Sequence, residues 1–496
     1  MSELAPPEEN PTIRQPPPRQ PWEEPPPGGW SSHLSGIGLE TLWLICSVAI
    51  ALGAIRLVSV ARRLGDEAQP SAWLHAEVIG LWVAACVLVA GVAVYVWKRL
   101  GGLALVGAML TDYGRVARLG GRPPVWLDEP PAPSLRIAHL SDLHVTEGPD
   151  VRMVERARPG GNARLLPLLD HAEITRADLV IFTGDVTDRG TAVSWRCFLD
   201  ALAERGLSDR AVLVPGNHDL ALVDPLDGMR QRKHVFRADR FGIVQLANLL
   251  KFLEAFAETG GGRRGFVLHN GERQRFADAW VEAERAVRPF VAALPTLPVP
   301  TLRLRHLRED RAALAEYEAR IEAARARLLA LFPIAVLDES REAVVFVLNS
   351  CASVSRHPAT NALGHVGRAQ YRHLEKLAAL FPQPVKLVAL HHHVVRRAEE
   401  QGRDFVTRVM AKFTVLGDSR PLVRFCRTQG VRAVMNGHRH LSYQLRLPNG
   451  TVLLAAPSST LGDELADDPR PRFERYDVAP QADRLTVGIY RQVIRP

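Results

Sequence analysis

Five short apolar runs constrain this chain, because each ends in a small polar motif. Leu135–Leu140 precedes Asp142-Leu143-His144, and Ala177–Phe182 precedes Gly184-Asp185-Val186-Thr187-Asp188. Ala211–Val214 leads into Gly216-Asn217-His218-Asp219, Val385–Leu390 into His391-His392-His393, and Val431–Met435 into Gly437-His438-Arg439-His440. Runs this short and this apolar suit strands buried on both faces. Helical patterns such as Trp195–Arg205 and Ala369–Leu380 lie between several of them. That alternation predicts a layered α/β architecture. Loops at strand ends are where a rigid scaffold can gather many side chains around one point.

The side chains on those loops are oxygen and imidazole donors, the kind that hold hard or borderline divalent metals. Asp142 and His144 alternate along extended chain, so both reach one metal only where the strand ends. A carboxylate can give one oxygen to each of two cations, which makes Asp185 the natural bridge. Asn217 offers a neutral carbonyl, and His391, His438 and His440 add imidazoles. Two metals roughly 3.5–4 Å apart lower the pKa of a water and clamp the attacking and leaving oxygens of an in-line displacement. His218 follows a ligand directly and is placed to protonate a leaving alkoxide or to steady a phosphoryl group. Glycines at 184, 216 and 437 permit close backbone approach.

The ordered set closely resembles the calcineurin-like metallophosphoesterase superfamily, whose pattern is DxH, GDxxD, GNH(D/E), H and GHxH. The resemblance covers roughly Leu135 to the C-terminus. It implies a sandwich of two β-sheets flanked by helices, two divalent metal ions (Mn, Fe or Zn), and a phosphate-ester substrate. Carried over by position, the first metal would take Asp142, His144, Asp185 and His440, and the second Asp185, Asn217, His391 and His438. His218 would be the catalytic histidine. In the fourth motif the family ligand comes directly off the strand, which selects His391 and leaves His392 as the alternative. Thr183–Gly190, Val214–Asp219, Val347–Ser350, Gly367–Gln370 and Ala456–Ser459 look like the branch containing bacterial cyclic-nucleotide phosphodiesterases. A phosphodiester, cyclic nucleotide or lipid-type, is therefore the expected substrate. The alternatives are a phosphomonoesterase or protein phosphatase, or a non-catalytic membrane scaffold keeping the fold; the complete ligand set disfavours the last.

Asn217 and His391 stand 174 residues apart, beyond the family's usual separation, so a helical insertion is expected at about 220–333. Phe241–Phe256 reads as an amphipathic helix ended by Gly260-Gly261-Gly262. Leu314, Tyr317, Ile321, Ala324, Leu328 and Leu331 recur at near-heptad spacing. Under three heptads favours a packed helix over a coiled-coil dimer contact. From its position the insertion would cap the metal pocket.

Residues 1–35 are crowded with proline and too poor in apolar side chains to fold. Residues 36–100 are expected to form a transmembrane hairpin. Val78–Trp97 carries no charge in 20 residues, and at about 1.5 Å per residue it spans a bilayer core of about 30 Å. Leu39–Ile55 is slightly shorter. A linker at 101–133 joins this anchor to the catalytic domain at 134–496. Arginines and lysine flanking the hairpin favour both termini in the cytoplasm, with the chain in the cell's inner membrane. Five cysteines show no disulfide spacing.

The formal charge of +8 could suit an anionic partner, but only six of 62 basic residues are lysine and no aromatic-interleaved basic strip occurs. Composition thus argues against nucleic-acid binding and leaves lipid headgroups as the favoured anionic contact. Asp188 and Arg189 have two equal readings, contact with substrate phosphate or loop support. Asp219 reads equally as an orienter of His218 or a turn cap, and His139 as a packed core residue.

Overall fold

The computed structural model describes residues 135–153, 159–220, 238–293, 307–351, 363–395, 415–462, 469–478 and 487–493. The proline-rich lead, both expected spans and the linker lie outside them. Among the described residues no helix is long and apolar enough to cross a membrane.

Two sheets form the scaffold. The first runs β13-β12-β1-β2-β3 and the second β10-β11-β9-β8-β7-β6-β4-β5. In the first, β1 (Leu135–Leu140), β2 (Leu179–Phe182) and β3 (Ala211–Leu213) are parallel neighbours. An antiparallel pair, β12 (Arg472–Val478) and β13 (Val487–Val493), continues beyond β1. In the second, β7 (Ala343–Val347), β8 (Val385–Ala389), β9 (Ala433–Asn436) and β11 (Val452–Ala455) are parallel. β6 (Ile334–Asp338) and β10 (Tyr443–Arg446) flank them antiparallel.

Strand alternation sorts the second sheet's side chains into two layers. Val345, Val347, Leu387, Ala389 and Met435 join the first sheet's Ile137, Ile181 and Val212 in one buried cluster. Val344, Phe346, Val388 and Val434 face the other way. There they meet α8 (Arg368–Ala379) through Leu374 and Leu377, and α9 (Ser419–Gln429) through Leu422 and Phe425. The buried runs in the sequence are continuous because both faces are covered.

Along the chain, α1 (Asn162–Leu169) follows β1, α2 (Ala192–Glu204) follows β2 and α3 (Asn217–Leu220) follows β3. Thr191 starts α2 by accepting the Ser194 N–H at 3.2 Å. The insertion supplies α4 (Ala238–Ala257), α5 (Gly260–Arg263), α6 (Phe276–Ala293) and α7 (Leu307–Leu329).

Two details differ from the sequence expectation. The insertion is not wholly helical: β4 (Gly265–His269) and β5 (Glu272–Arg275) form a hairpin that extends the second sheet beyond β6. Its turn falls at Asn270 and Gly271, both at positive φ, between a five-residue strand and a four-residue one too charged to stand out as an apolar run. α4 stops at Ala257, leaving two residues before the glycine run, and the glycines themselves form the helical turn α5. Tyr317, Ile321, Ala324 and Leu328 of α7 are buried in the main core with α4 residues Leu246, Leu250 and Leu253. That near-heptad stripe is the packed face of a helix within one chain.

Candidate metal centre

All five motifs emerge at one end of the two sheets. β1, β2 and β3 are parallel neighbours, so the loops carrying Asp142, Asp185 and Asn217 leave side by side. β8 and β9 do the same in the second sheet, delivering His391 and His438. The first two loops keep pairing beyond their strands. Asp142 N–H donates to the Gly184 carbonyl at 3.0 Å, and His144 N–H to that of Asp185 at 3.0 Å. Asp142, His144, Asp185, His438 and His440 all have positive φ, between 49° and 80°. That backbone is costly for residues bearing a Cβ, on the order of 1–3 kcal/mol each, and persists only where its surroundings impose it.

The two loop sets interlock at glycines. A Cβ on Gly437 would lie 1.7 Å from Ser141 Oγ and 2.6 Å from Asp142 Oδ2. On Gly216 it would lie 2.1 Å from the Asp185 nitrogen. No side chain fits at either place, so the loops close directly on one another.

Three clusters of donor atoms result, each with its atoms within 4.8 Å of one another: Asp142, His144 and His440; Asp185, His391 and His438; and His144, Asp188 and His218. In the first, His144 Nε2 and His440 Nε2 face each other at 3.3 Å, with Asp142 Oδ1 3.5 Å from the latter. In the second, His391 Nε2 lies 3.0 Å from Asn217 Oδ1, 3.2 Å from Asp185 Oδ2 and 3.0 Å from His438 Nδ1.

The hydrogen bond on the far side of His391 fixes what its inner nitrogen presents. Nδ1–H donates to the Thr183 carbonyl at 2.7 Å, so in the neutral ring Nε2 carries a lone pair. That lone pair faces an amide oxygen and a carboxylate oxygen at contact distance, an arrangement that repels unless positive charge sits among them. Burial disfavours a charged imidazole here, but Asp185's charge and hydrogen bond outweigh it and lift the His391 pKa to about 9. Without a metal a proton on Nε2 supplies that charge; the same ring of donors fits a metal ion in the proton's place. Asp142 and Asp185 are both fully buried; burial raises a carboxyl pKa, yet His440 beside the first and His391 beside the second hold both below the ordinary range.

Asp188 and Asp219 have separate tasks. Asp219 accepts from the N–H groups of Val186, Thr187 and Gly216 and from the Thr187 hydroxyl, tying the second motif's loop to the third. Burial, then Asp185's charge, pushes its pKa up to about 6. It does not reach the His218 ring. Asp188 does: its Oδ1 lies 3.4 Å from His218 Nδ1 and 3.6 Å from His144 Nδ1. The sequence reading offered imidazole orientation to Asp219 and loop support to Asp188; the folded loops exchange these tasks. Burial opposes ionisation of Asp188, but those imidazoles hold it well below the usual carboxyl range.

Arg189 turns its guanidinium to the Arg152 carbonyl and to Asp188, and joins none of the clusters. His392 is fully buried with Nδ1 on Ser350 Oγ at 2.8 Å, and it also stays outside them. His139 bonds Thr183 Oγ1 within the core. Residues to which the sequence reading gave no task at the site form a clasp: Ser458 and Thr460 donate to the carbonyls of Asp142 and Leu143, and Ser459 Oγ accepts the Ser141 N–H. Only a serine-rich turn after β11 marked them.

A sequence model of the calcineurin-like phosphoesterase family matches residues 135–323. That stretch holds Asp142, His144, Asp185, Asn217 and His218; His391, His438 and His440 lie beyond it and are brought in by the fold. No curated protein matches the chain. Among solved structures, a dimetal phosphatase from Danio rerio is similar at 12% identity and a TM-score of 0.33, covering 73% of this chain and 99% of its own. A protein serine/threonine phosphatase from Saccharomyces cerevisiae is similar at 12% identity and a TM-score of 0.27, covering 79% of this chain and 91% of its own. At such scores these likenesses carry no further argument. The match of residues 135–323 to that family model, together with a two-sheet fold carrying buried Asp/His clusters, supports a metal-dependent phosphoesterase.

Proposed function

We propose that the chain is a membrane-anchored dinuclear-metal phosphodiesterase. The first metal is assigned to Asp142, His144, Asp185 and His440, and the second to Asp185, Asn217, His391 and His438, with His391 preferred over His392. The observation carrying this is the meeting of His391 Nε2 with Asn217 Oδ1 and Asp185 Oδ2 at 3.0 and 3.2 Å. Bound there, two divalent ions would acidify a water and offset charge on phosphoryl oxygens.

The chain's own residues do the rest. The His218 ring is about one-tenth exposed and stands over His144 with centroids 4.6 Å apart, at the rim of the site. Its Nδ1–H faces the Asp188 carbonyl and carboxylate, which leaves Nε2 to hold a proton toward the leaving oxygen. Asp188 orients that ring. The His218 backbone N–H donates to Asp185 Oδ1 at 2.8 Å, so the proposed bridging carboxylate and the acid are fixed by one turn.

The lean toward diesters rests on the motifs resembling cyclic-nucleotide phosphodiesterases, and the anchor on the uncharged run Val78–Trp97. The domain is placed in the cytoplasm from the flanking charges. Purified protein loaded with Mn²⁺ is tested on bis-p-nitrophenyl phosphate against p-nitrophenyl phosphate. A higher kcat/KM for the diester supports the reading; preference for the monoester would make it a phosphatase. A panel of cyclic nucleotides and glycerophospholipids then separates the two diester classes.

A further inference from the structure

At the opposite end of the same sheet, away from the metal cluster, lies a cavity of about 430 Å³. It sits among the turn before β8, the C-terminal turn of α9 and the β10–β11 turn. Lys386, Arg427, Arg432 and Arg446 line it, and its lining includes no aspartate or glutamate. Lys386 is the second residue of β8, whose other end delivers His391. At about 3.3 Å per residue the two lie roughly 16 Å apart along the strand. Arg432 likewise precedes β9, which delivers His438.

A basic surface normally spreads its charges over water and mixes them with acids. Here four basic residues line one concave space large enough for a small ligand. Lys386 is half-buried on the strand face that otherwise packs Val388 against the helices. Burial lowers its pKa, so an unneutralised ammonium is disfavoured where it stands. A bound anion removes that penalty. The fork of an arginine suits phosphate oxygens in particular.

We propose that this cavity is a second binding site for a phosphate-bearing anion, separate from the metal centre and independent of the reaction assigned there. Its ligand is a free phosphate compound or a phospholipid headgroup, which share the recognised group.

The full chain is treated with chelator, so that phosphate binding at the metal centre is lost, and titrated with inorganic pyrophosphate by calorimetry. The comparison is Lys386→Gln/Arg446→Gln, with Arg427→Gln/Arg432→Gln as a second pair should the first fold poorly. Thermal melting and diesterase activity with restored Mn²⁺ confirm intact protein. Binding weakened about ten-fold or more in a folded variant supports the site. Undiminished binding in both variants, or no binding to the parent protein, overturns it. Added phosphatidylcholine vesicles, with or without phosphatidylglycerol, separate the sources. Displacement of pyrophosphate only by the anionic vesicles identifies a headgroup, and displacement by neither identifies a free phosphate compound.

Discussion

His218 Nδ1 lies 3.1 Å from the Asp188 carbonyl and 3.4 Å from its carboxylate, so one residue holds the ring by two contacts. The same carboxylate stands 3.6 Å from His144. Carboxylates placed behind working imidazoles typically contribute about 10–100-fold to activity. Asp188→Asn should therefore lower kcat by about that factor while KM changes little. Steady-state kinetics with metal content measured alongside checks this; a KM effect alone would return Asp188 to substrate binding.

Asp185 and His218 should separate cleanly. Asp185→Asn removes the charge facing His391 and should abolish turnover together with most bound metal. His218→Ala should keep the metal and lose on the order of 10²–10⁴-fold in rate. Elemental analysis of both variants decides, and retention of two equivalents of metal by Asp185→Asn would refute the bridging role.

Asp219 is buried and accepts four hydrogen bonds from three residues. Asp219→Ala leaves those donors without an acceptor, at about 1–3 kcal/mol for each that water cannot reach. A loss of several degrees in Tm is expected, with activity falling because the loops part. An unchanged melting curve would mean the loops hold themselves.

Gly437 and Gly430 make a matched pair of alanine substitutions. At Gly437 the new methyl meets Ser141 and Asp142, so Gly437→Ala should displace Asp142 and cut metal affinity. Gly430 ends α9 at φ 63° with nothing within 4 Å of its absent Cβ. Gly430→Ala should cost about 1 kcal/mol of stability through backbone strain alone. Metal titration of the two proteins reads the difference.

Chelation should destabilise the fold. Five strained loop residues and facing lone pairs are offset when cations bind, so the loaded protein should melt higher. Calorimetric scans before and after dialysis against chelator, and after Mn²⁺ is restored, test this. A Tm indifferent to metal would mean the loops are held by the protein's own hydrogen bonds.

The strands and their motifs were legible because each signal is local. Leu135–Leu140 has the same bounds in sequence and structure, and β8 differs by one residue. The β4–β5 hairpin was not legible, since three of the four residues of Glu272–Arg275 are charged and the segment takes its strand form from pairing with β4. The separate duties of Asp188 and Asp219 were also hidden. Both follow a ligand motif, and only the folded loops show which carboxylate turns toward an imidazole.

The sequence alone determined the chemistry on offer: which donors exist, in what order, and that each follows a buried strand. Tertiary structure decided which atoms meet. Parallel pairing of β1 with β2 and β3, and of β8 with β9, sends every loop to one end, and contact between the sheets brings His391 to Asn217 across 174 residues. Distances between residues so far apart in the chain depend on register and layer packing, which no local pattern of side chains encodes.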